Sequence, residues 1–337
     1  MPVFARARAR FKRFVVVLAV LALLATLGLG VWSRRLARDA ELDYPKLGRD
    51  VVVEGVALHY VERGRGRPVV MLHGAFGTLV DFTATIFDPI ARTQRAIAID
   101  RPGHGYSGRP AREACTPAVQ ARLVHAALSE LGVERPVLVG FSYGATVALA
   151  YGLDYPAEVA AIVTLNGVTH PWPGVTNPMY WIPIVPGVGW IFTHAYVMPL
   201  GLWLAHASLE AAFAPRALPQ PFHSAPVALE LRPASFEANA EDMRVLKDSV
   251  RAMSERYAEL AMPLVIVVGE GDKIASPLLH SHALHEQVKG SVLVSIPDAG
   301  HQVLYTDPKT VIDAIDRACE MAREREDAKA SEHFERR

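Results

Sequence analysis

Cysteine is almost absent from this chain, and so is any excess of charge of one sign. Two cysteines, Cys115 and Cys319, occur among 337 residues. They stand at neither a metal-binding nor a redox spacing, so two buried free thiols are expected ahead of a disulfide between them. Lys plus Arg and Asp plus Glu number 35 each, giving a formal net charge of zero, so no whole-chain field draws the protein to nucleic acid. A third absence is local. Between Glu158 and Glu210 there is no Asp, Glu, Lys or Arg. Prolines 171, 173, 178, 183, 186 and 199 fall in the same interval and argue against one long spanning helix there, so short helices and turns are expected. Trp172, Trp181, Trp190 and Trp203 lie in it too. No internal repeat is visible.

What is present suits a packed globule: 51% hydrophobic and 21% charged residues argue against disorder. The N-terminus adds something else. Arg6, Arg8, Arg10, Lys12 and Arg13 precede the uncharged run "FVVVLAVLALLATLGLGVW", residues 14–32, which Arg34 and Arg35 close. At about 1.5 Å per residue that run nearly spans a hydrocarbon core of about 30 Å. We read residues 1–13 as a basic flank, 14–32 as a single-pass membrane anchor and 33–49 as a linker. A cleaved signal peptide is the rival, with Gly28 and Gly30 as a small-x-small site. The basic flank favours a cytoplasmic N-terminus and an extracytoplasmic body, although Arg34, Arg35 and Arg38 reduce the contrast.

From about residue 50 short apolar runs alternate with helical patterns. "DVVVEGVALHYVERG" reads as two strands around Glu54-Gly55, an antiparallel hairpin at one sheet edge. "PVVMLHG", "RAIAIDRPGHG", "PVLVG", "AAIVTLNG", "PLVIVVGEGD" and "SVLVSIPDAGH" follow. Continuous apolar strands separated by helices imply an α/β fold, with a mostly parallel sheet covered on both faces. The expected organisation is a core in two parts, 50–167 and 233–324, around an apolar cap at 168–232, with a charged tail at 325–337. The cap is either an ordinary hydrophobic subdomain or a lid that receives a lipophilic substrate at a bilayer surface.

The candidate chemistry centres on "GFSYG", residues 140–144. A strand that turns sharply into a helix strains its turn residue and needs small neighbours, here Gly140 and Gly144. Such a turn lifts Ser142 to a helix N-terminus, where negative charge is favoured. A serine hydroxyl needs a base, and the base an orienting acid. His301 and Asp272 stand just past the ends of later strands, where open α/β sheets collect their chemistry. Glu270 and Asp298 compete with Asp272 as the acid, whereas Asn166 leaves no acid after the preceding strand. Backbone N–H groups for an oxyanion come from Ala75, or Phe76, in "HGAFG", and from Tyr143, whose ring is also a candidate pocket wall. His73 with Gly74, and His104, are read as fixing glycine-rich turns. His280, His282 and His285 are read as a solvated helix face, and neither a metal nor an organic cofactor is expected.

These motifs, "HGAFG", "DRPGHGYS", "GFSYG", "GEGD" and "DAGH" in this order, resemble the α/β-hydrolase superfamily over residues 50 to about 320. The resemblance implies about eight core strands with a cap after the sixth, Ser142 as nucleophile, Asp272 as acid and His301 as base. Branches of the superfamily that carry Asp at the elbow, dehalogenases and epoxide hydrolases, fit less well. The anchor resembles the layout of membrane-anchored, monoacylglycerol-lipase-like relatives. The activity implied is hydrolysis of a carboxylic ester of an apolar substrate. Thioester, amide, aminopeptide and carbon–carbon bond hydrolysis remain open on the same machinery, as does a weakly catalytic protein that binds a small ligand.

Overall fold

Eight apolar runs form the eight strands of one sheet in the computed structural model, which describes residues 2–111, 113–219 and 225–335. They are β1 (Arg49–Val53), β2 (Val56–Arg63), β3 (Pro68–Leu72), β4 (Arg95–Ile99), β5 (Val137–Phe141), β6 (Ala161–Leu165), β7 (Leu264–Gly269) and β8 (Val292–Ile296). Their order is β1-β2-β4-β3-β5-β6-β7-β8. The β1–β2 and β2–β4 pairs are antiparallel and the others parallel. Glu54 and Gly55 join β1 to β2 with φ of 51° and 76°, the left-handed pair that a two-residue hairpin turn requires.

Alternation along each strand supplies both faces of the core. Val70, Leu72, Leu138 and Ile162 point to one cluster, while Val69, Met71, Val137, Val139 and Val163 point to the other. That is why the central strands read as unbroken apolar runs. Helices α2 (Pro117–Glu130) and α3 (Tyr143–Asp154) cover the first face. The C-terminal helix, Pro308–Glu335, covers the second through Val311, Ile315 and Cys319. Both cysteines are free and buried, and burial pushes their thiols up to about 12 for Cys115 and about 11 for Cys319.

The chain from β6 to β7 carries the cap, which does not stop at residue 232 as expected, because the helix from Pro233 packs on it through Phe236. It contains a 3-10 segment at Pro178–Ile184, the helix α4 at Val188–Phe213, the short α5 at Ala225–Glu230 and α6 at Pro233–Ser254. Short segments are found around prolines 171–186 as expected, but Pro199 does not end a helix: α4 runs unbroken through it. A π turn at Phe192–Tyr196 lies directly upstream. It widens the helix where the ring of Pro199 would crowd the carbonyl four residues earlier. Helix α6 belongs to both parts of the body. Phe236 near its start packs in the cap, while Leu246 and Val250 enter the main core.

At the N-terminus α1 runs from Pro2 to Asp43. Residues 33–43, expected as linker, are helical, because "SRRLARDAELD" is made of helix formers with no glycine or proline before Pro45. The first residue of the basic flank, residues 220–224 of the cap and the last two of the charged tail lie outside the described residues. In that tail Glu326 is held by Arg67 at 2.6 Å and by Arg135 at 3.2 Å.

Candidate active site

β5 ends at Phe141, and Ser142 takes φ 51° and ψ −114° before α3 begins. Left-handed backbone is costly for a residue with a Cβ. Packing fixes it here: Ser142 N–H donates to Leu165 O at 2.9 Å, and Ser142 O accepts from Ala145 N–H at 3.1 Å. A Cβ at Gly144 would collide with the carbonyls of Leu72 and His73, and one at Gly140 with the backbone of Ala145. The two glycines thus let the turn sit tight against β3. Ser142 is 7% exposed, at the carboxyl end of the central strands.

Two and three strands away, the loops after β7 and β8 bring Asp272 and His301 together. The His301 Nδ1 lies 2.6 Å from Asp272 Oδ2. The other carboxylate oxygen accepts from the N–H groups of Ile274 at 2.7 Å and Ala275 at 3.0 Å. Fixed in this way, Asp272 can hold the imidazole in the Nδ1–H tautomer and leave Nε2 to act as a base. The imidazole stands 5.1 Å from the ring of Phe141, the residue before Ser142. Asn166, noted in the sequence only for lacking a charge, clamps the histidine loop. Its Nδ2 donates to Gly300 O and His301 O, each at 2.9 Å, and its Oδ1 accepts from Gly269 N–H at 2.8 Å. From the cap, Ala212 O accepts the N–H of His301 at 3.0 Å.

The His73–Phe76 loop flanks Ser142 on the other side, where a Cβ on Gly74 would reach the Ser142 Cβ at 3.0 Å. Phe76 has a φ of 50°. Its N–H donates to Asn239 Oδ1 of α6 at 3.1 Å, which leaves Ala75 as the candidate donor of the two. His73 is buried, and burial followed by nearby Arg101 holds it well below its usual range. The neutral ring fits its bonds: Nδ1–H donates to Gly74 O and Nε2 accepts from Arg101 N–H, both at 2.9 Å. The ring of Tyr143 does not wall an opening. It is buried in the core, with the Arg101 guanidinium 4.4 Å above it.

That guanidinium is the main feature the sequence reading missed. Fully buried, it donates to His73 O at 2.8 Å, Gly74 O at 3.0 Å and Gln120 at 2.9 Å, and pairs with Asp242 of α6 at 2.6 Å. His104 bridges Asp242 at 3.0 Å and Glu230 of α5 at 2.5 Å. Carboxylates at both nitrogens favour the doubly protonated ring, while the Arg101 Nη2 donor, 3.3 Å from Nε2, opposes it. Burial and Arg101 act to lower the His104 pKa, but the two carboxylates outweigh them and raise it. Burial alone would raise Asp242; Arg101, Arg109 and His104 carry it well below the carboxylate range. A signal for this existed. Phe236, Asn239, Asp242, Leu246 and Val250 recur at helical spacing, so a polar pair lies on the apolar face of α6.

The rival acids face elsewhere. Glu270 bonds His282 and Ser295, and Asp298 pairs with Arg216 at the surface. The histidine trio is not one solvated face. His280 is buried and accepts from the N–H groups of Thr169 and His170, and burial brings it down to about 4. Among the described residues no group of His, Cys, Asp and Glu could hold a metal ion.

A mostly parallel eight-stranded sheet with a strained serine at a strand-to-helix turn defines an α/β hydrolase fold. The chain belongs to the alpha/beta hydrolase fold family, which matches residues 67–308. It is 27% identical over 254 residues to the putative carbamate hydrolase RutD of Shigella flexneri serotype 5b, covering 72% of this chain and 88% of that one. It is 32% identical over 138 residues to the 2-hydroxymuconate semialdehyde hydrolase of Pseudomonas sp. strain CF600, 40% of this chain and about half (48%) of that enzyme. Among solved structures it resembles Est816, an N-acyl homoserine lactone degrading enzyme, with a TM-score of 0.61 and 26% identity over 79% of this chain and 98% of that one. The esterase EaEST of Exiguobacterium antarcticum shares the fold, with a TM-score of 0.63 and 19% identity over 80% of this chain and 100% of that one. The chain is therefore a hydrolase by fold and kinship.

Proposed function

We propose that the protein hydrolyses a carboxylic ester of an apolar substrate through an acyl-Ser142 intermediate. The observation that carries this reading is the Asp272–His301 pair at 2.6 Å, in the loops beside a serine with φ 51°. His301 takes the hydroxyl proton as Ser142 attacks the carbonyl carbon, and passes it to the leaving alcohol. It then takes a proton from the water that attacks the acyl-enzyme, and returns it to Ser142 on release of the acid. Asp272 holds the imidazole tautomer and stabilises its positive form. The amides of Ala75 and Tyr143 receive the oxyanion. The uncharged stretch from Glu158 to Glu210 supports an apolar acyl or aryl group, because an unpaired substrate charge buried against it would be costly.

A fluorophosphonate should label the natural chain and leave Ser142→Ala unlabelled, with ester turnover lost by a factor on the order of 10⁴ to 10⁶. Equal labelling of both chains would remove Ser142 from the mechanism. No labelling of either, with ligand binding intact, would favour a binding protein. A panel of p-nitrophenyl and glycerol esters of graded chain length would then define the acyl group. Similarity to a 2-hydroxymuconate semialdehyde hydrolase makes a carbon–carbon bond hydrolase the second reading, separated by turnover of 2-hydroxymuconate semialdehyde in place of esters.

The same reading places the protein in a membrane. Residues 14–32 act as a single-pass anchor, with the hydrolase body on the extracytoplasmic side. Support comes from α1, whose richest 18-residue window has a mean hydropathy of 2.8 and no buried residue.

A further inference from the structure

Helix α1 is covered along only part of its length. Thr26, Leu29, Gly30, Ser33, Ala37 and Ala40 turn toward the body, at the three- and four-residue spacing of one helix face, while Phe11–Ala25 lie exposed. The covering element is the cap. Thr26 Oγ1 lies 2.8 Å from the hydroxyl of Tyr196, and Gly30 lies against the carbonyl of His194. Tyr196 belongs to the π turn of α4.

This contact fixes the depth of the cap relative to the anchor. If residues 14–32 are the span and Arg34 and Arg35 mark the headgroups, Thr26 lies about 9 Å below Trp32 along the helix axis. Tyr196 must be at that depth with it. From Tyr196 the same stripe of α4, four, seven and eight residues on, presents Leu200, Trp203 and Leu204, all exposed. Trp190 and Ile191, six and five residues before Tyr196, are exposed as well. No formal charge interrupts the helix before Glu210. An apolar face rich in tryptophan, tied to a membrane span inside its own end, has the chemistry of an element lying about 5–10 Å into a bilayer surface. The Thr26 and Tyr196 hydroxyls, 2.8 Å apart, satisfy each other at that depth.

We propose that the α4 face carrying Leu200, Trp203 and Leu204 is embedded in the interfacial layer of the bilayer that α1 enters. The cap is then a second membrane contact of the hydrolase body. This rests on the anchor reading above and is independent of the substrate. It has a consequence for the site, because the Phe213 end of the same helix reaches the histidine loop through Ala212 O.

The test uses the full chain in phosphatidylcholine–phosphatidylglycerol vesicles, with single NBD labels at Leu21→Cys, Leu200→Cys, Trp203→Cys and Leu278→Cys. Trp203 and Leu278 are each 78% exposed, so neither substitution threatens the core. Cys115 and Cys319 are buried, and the unsubstituted chain gives the background. Blue-shifted emission, with more than half of it quenched by shallow doxyl lipids at positions 200 and 203 and none at 278, is the expected result. Quenching at 21 with 200 and 203 behaving like 278 keeps the anchor and overturns the embedded cap. A blue shift at 203 that doxyl lipids do not quench means that a second copy covers the face, which also overturns it. No quenching at 21 removes the anchor and the embedded cap together.

Discussion

The two loops that flank Ser142 are fastened to the cap by different chemistry. On the His73–Phe76 side the main tie is ionic: the buried Arg101 guanidinium holds His73 O and Gly74 O and is itself held by Asp242 of α6 at 2.6 Å. On the His301 side the loop backbone is held by neutral groups, Asn166 after β6 and Ala212 O of α4, while Asp272 holds the imidazole and the Arg216–Asp298 pair lies at the surface. A buried ion network is fully satisfied only with every member present, and one missing partner leaves a charge stranded. Neutral amide clasps are weaker singly and indifferent to pH. One site therefore has one loop whose backbone is held by buried charge and another whose backbone is held by neutral groups, each joined to a different cap helix.

Breaking the ionic side should have the largest effect. Arg101→Ala removes one of the two guanidiniums beside Asp242, leaving Arg109 at 2.8 Å, and frees two loop carbonyls, at an expected cost of about 3 kcal/mol, read as a fall in urea midpoint. The same wall gives a two-sided pH profile. Asp242 is held below the ordinary carboxylate value, so its stabilisation is present above that value and lost as pH falls through the lowered one. His104 is raised, so its share is complete below the ordinary 6.5 and lost as pH rises through the raised value. Melting temperature against pH should fall on both sides in the natural chain. His104→Gln should flatten the alkaline arm; an unchanged arm would mean that the imidazole is not charged in the folded state.

Breaking the neutral side should cost less stability and keep the shape of that profile. Asn166→Ala leaves two carbonyls and the Gly269 N–H without their partner, an expected loss of about 2 kcal/mol. The profile should move down as a whole. Turnover should fall about tenfold or more as the imidazole loses its alignment, with KM little changed. A change in profile shape would show that the two walls are coupled. Asn239→Ala is smaller still, about 1 kcal/mol. It removes the acceptor for Phe76 N–H but also a buried Nδ2 that has no partner.

How much of this was legible follows the same division. The sheet, the hairpin turn and the cap after the sixth strand were readable because each rests on local rules: strand periodicity, glycine at forced backbone angles, and an interval without charge. The strand-end residues Ser142, Asp272 and His301 were readable as candidates for the same reason. Arg101 and Asp242 were not paired, because 141 positions separate them and only the packing of α6 against the turn after β4 joins them. A charged residue in a strand-end turn reads as solvated until its partner is found. His280 was misjudged in the same way: a three-histidine run looks like surface until Thr169 and His170 turn their amides toward one ring nitrogen. Pro199 misled for the opposite reason, since a local rule against helix was answered locally by a π turn.

The smallest expected effects test which carboxylate serves the imidazole. Glu270 and Asp298 lie close to Asp272 in the sequence or on the next loop, so spacing could not separate them. Their partners do: Glu270 faces His282 at 3.1 Å, and Asp298 meets Arg216 at 2.7 Å on the outside. Glu270→Gln and Asp298→Asn should therefore leave turnover within about twofold, as substitutions away from the reacting groups do. Asp272→Asn should lower it by a factor on the order of 10⁴, because the amide favours the wrong tautomer of His301. If Glu270→Gln matched Asp272→Asn, the acid would reach the imidazole from the His282 side in the working state. The Asp272–His301 contact would then describe a resting arrangement that substrate rearranges.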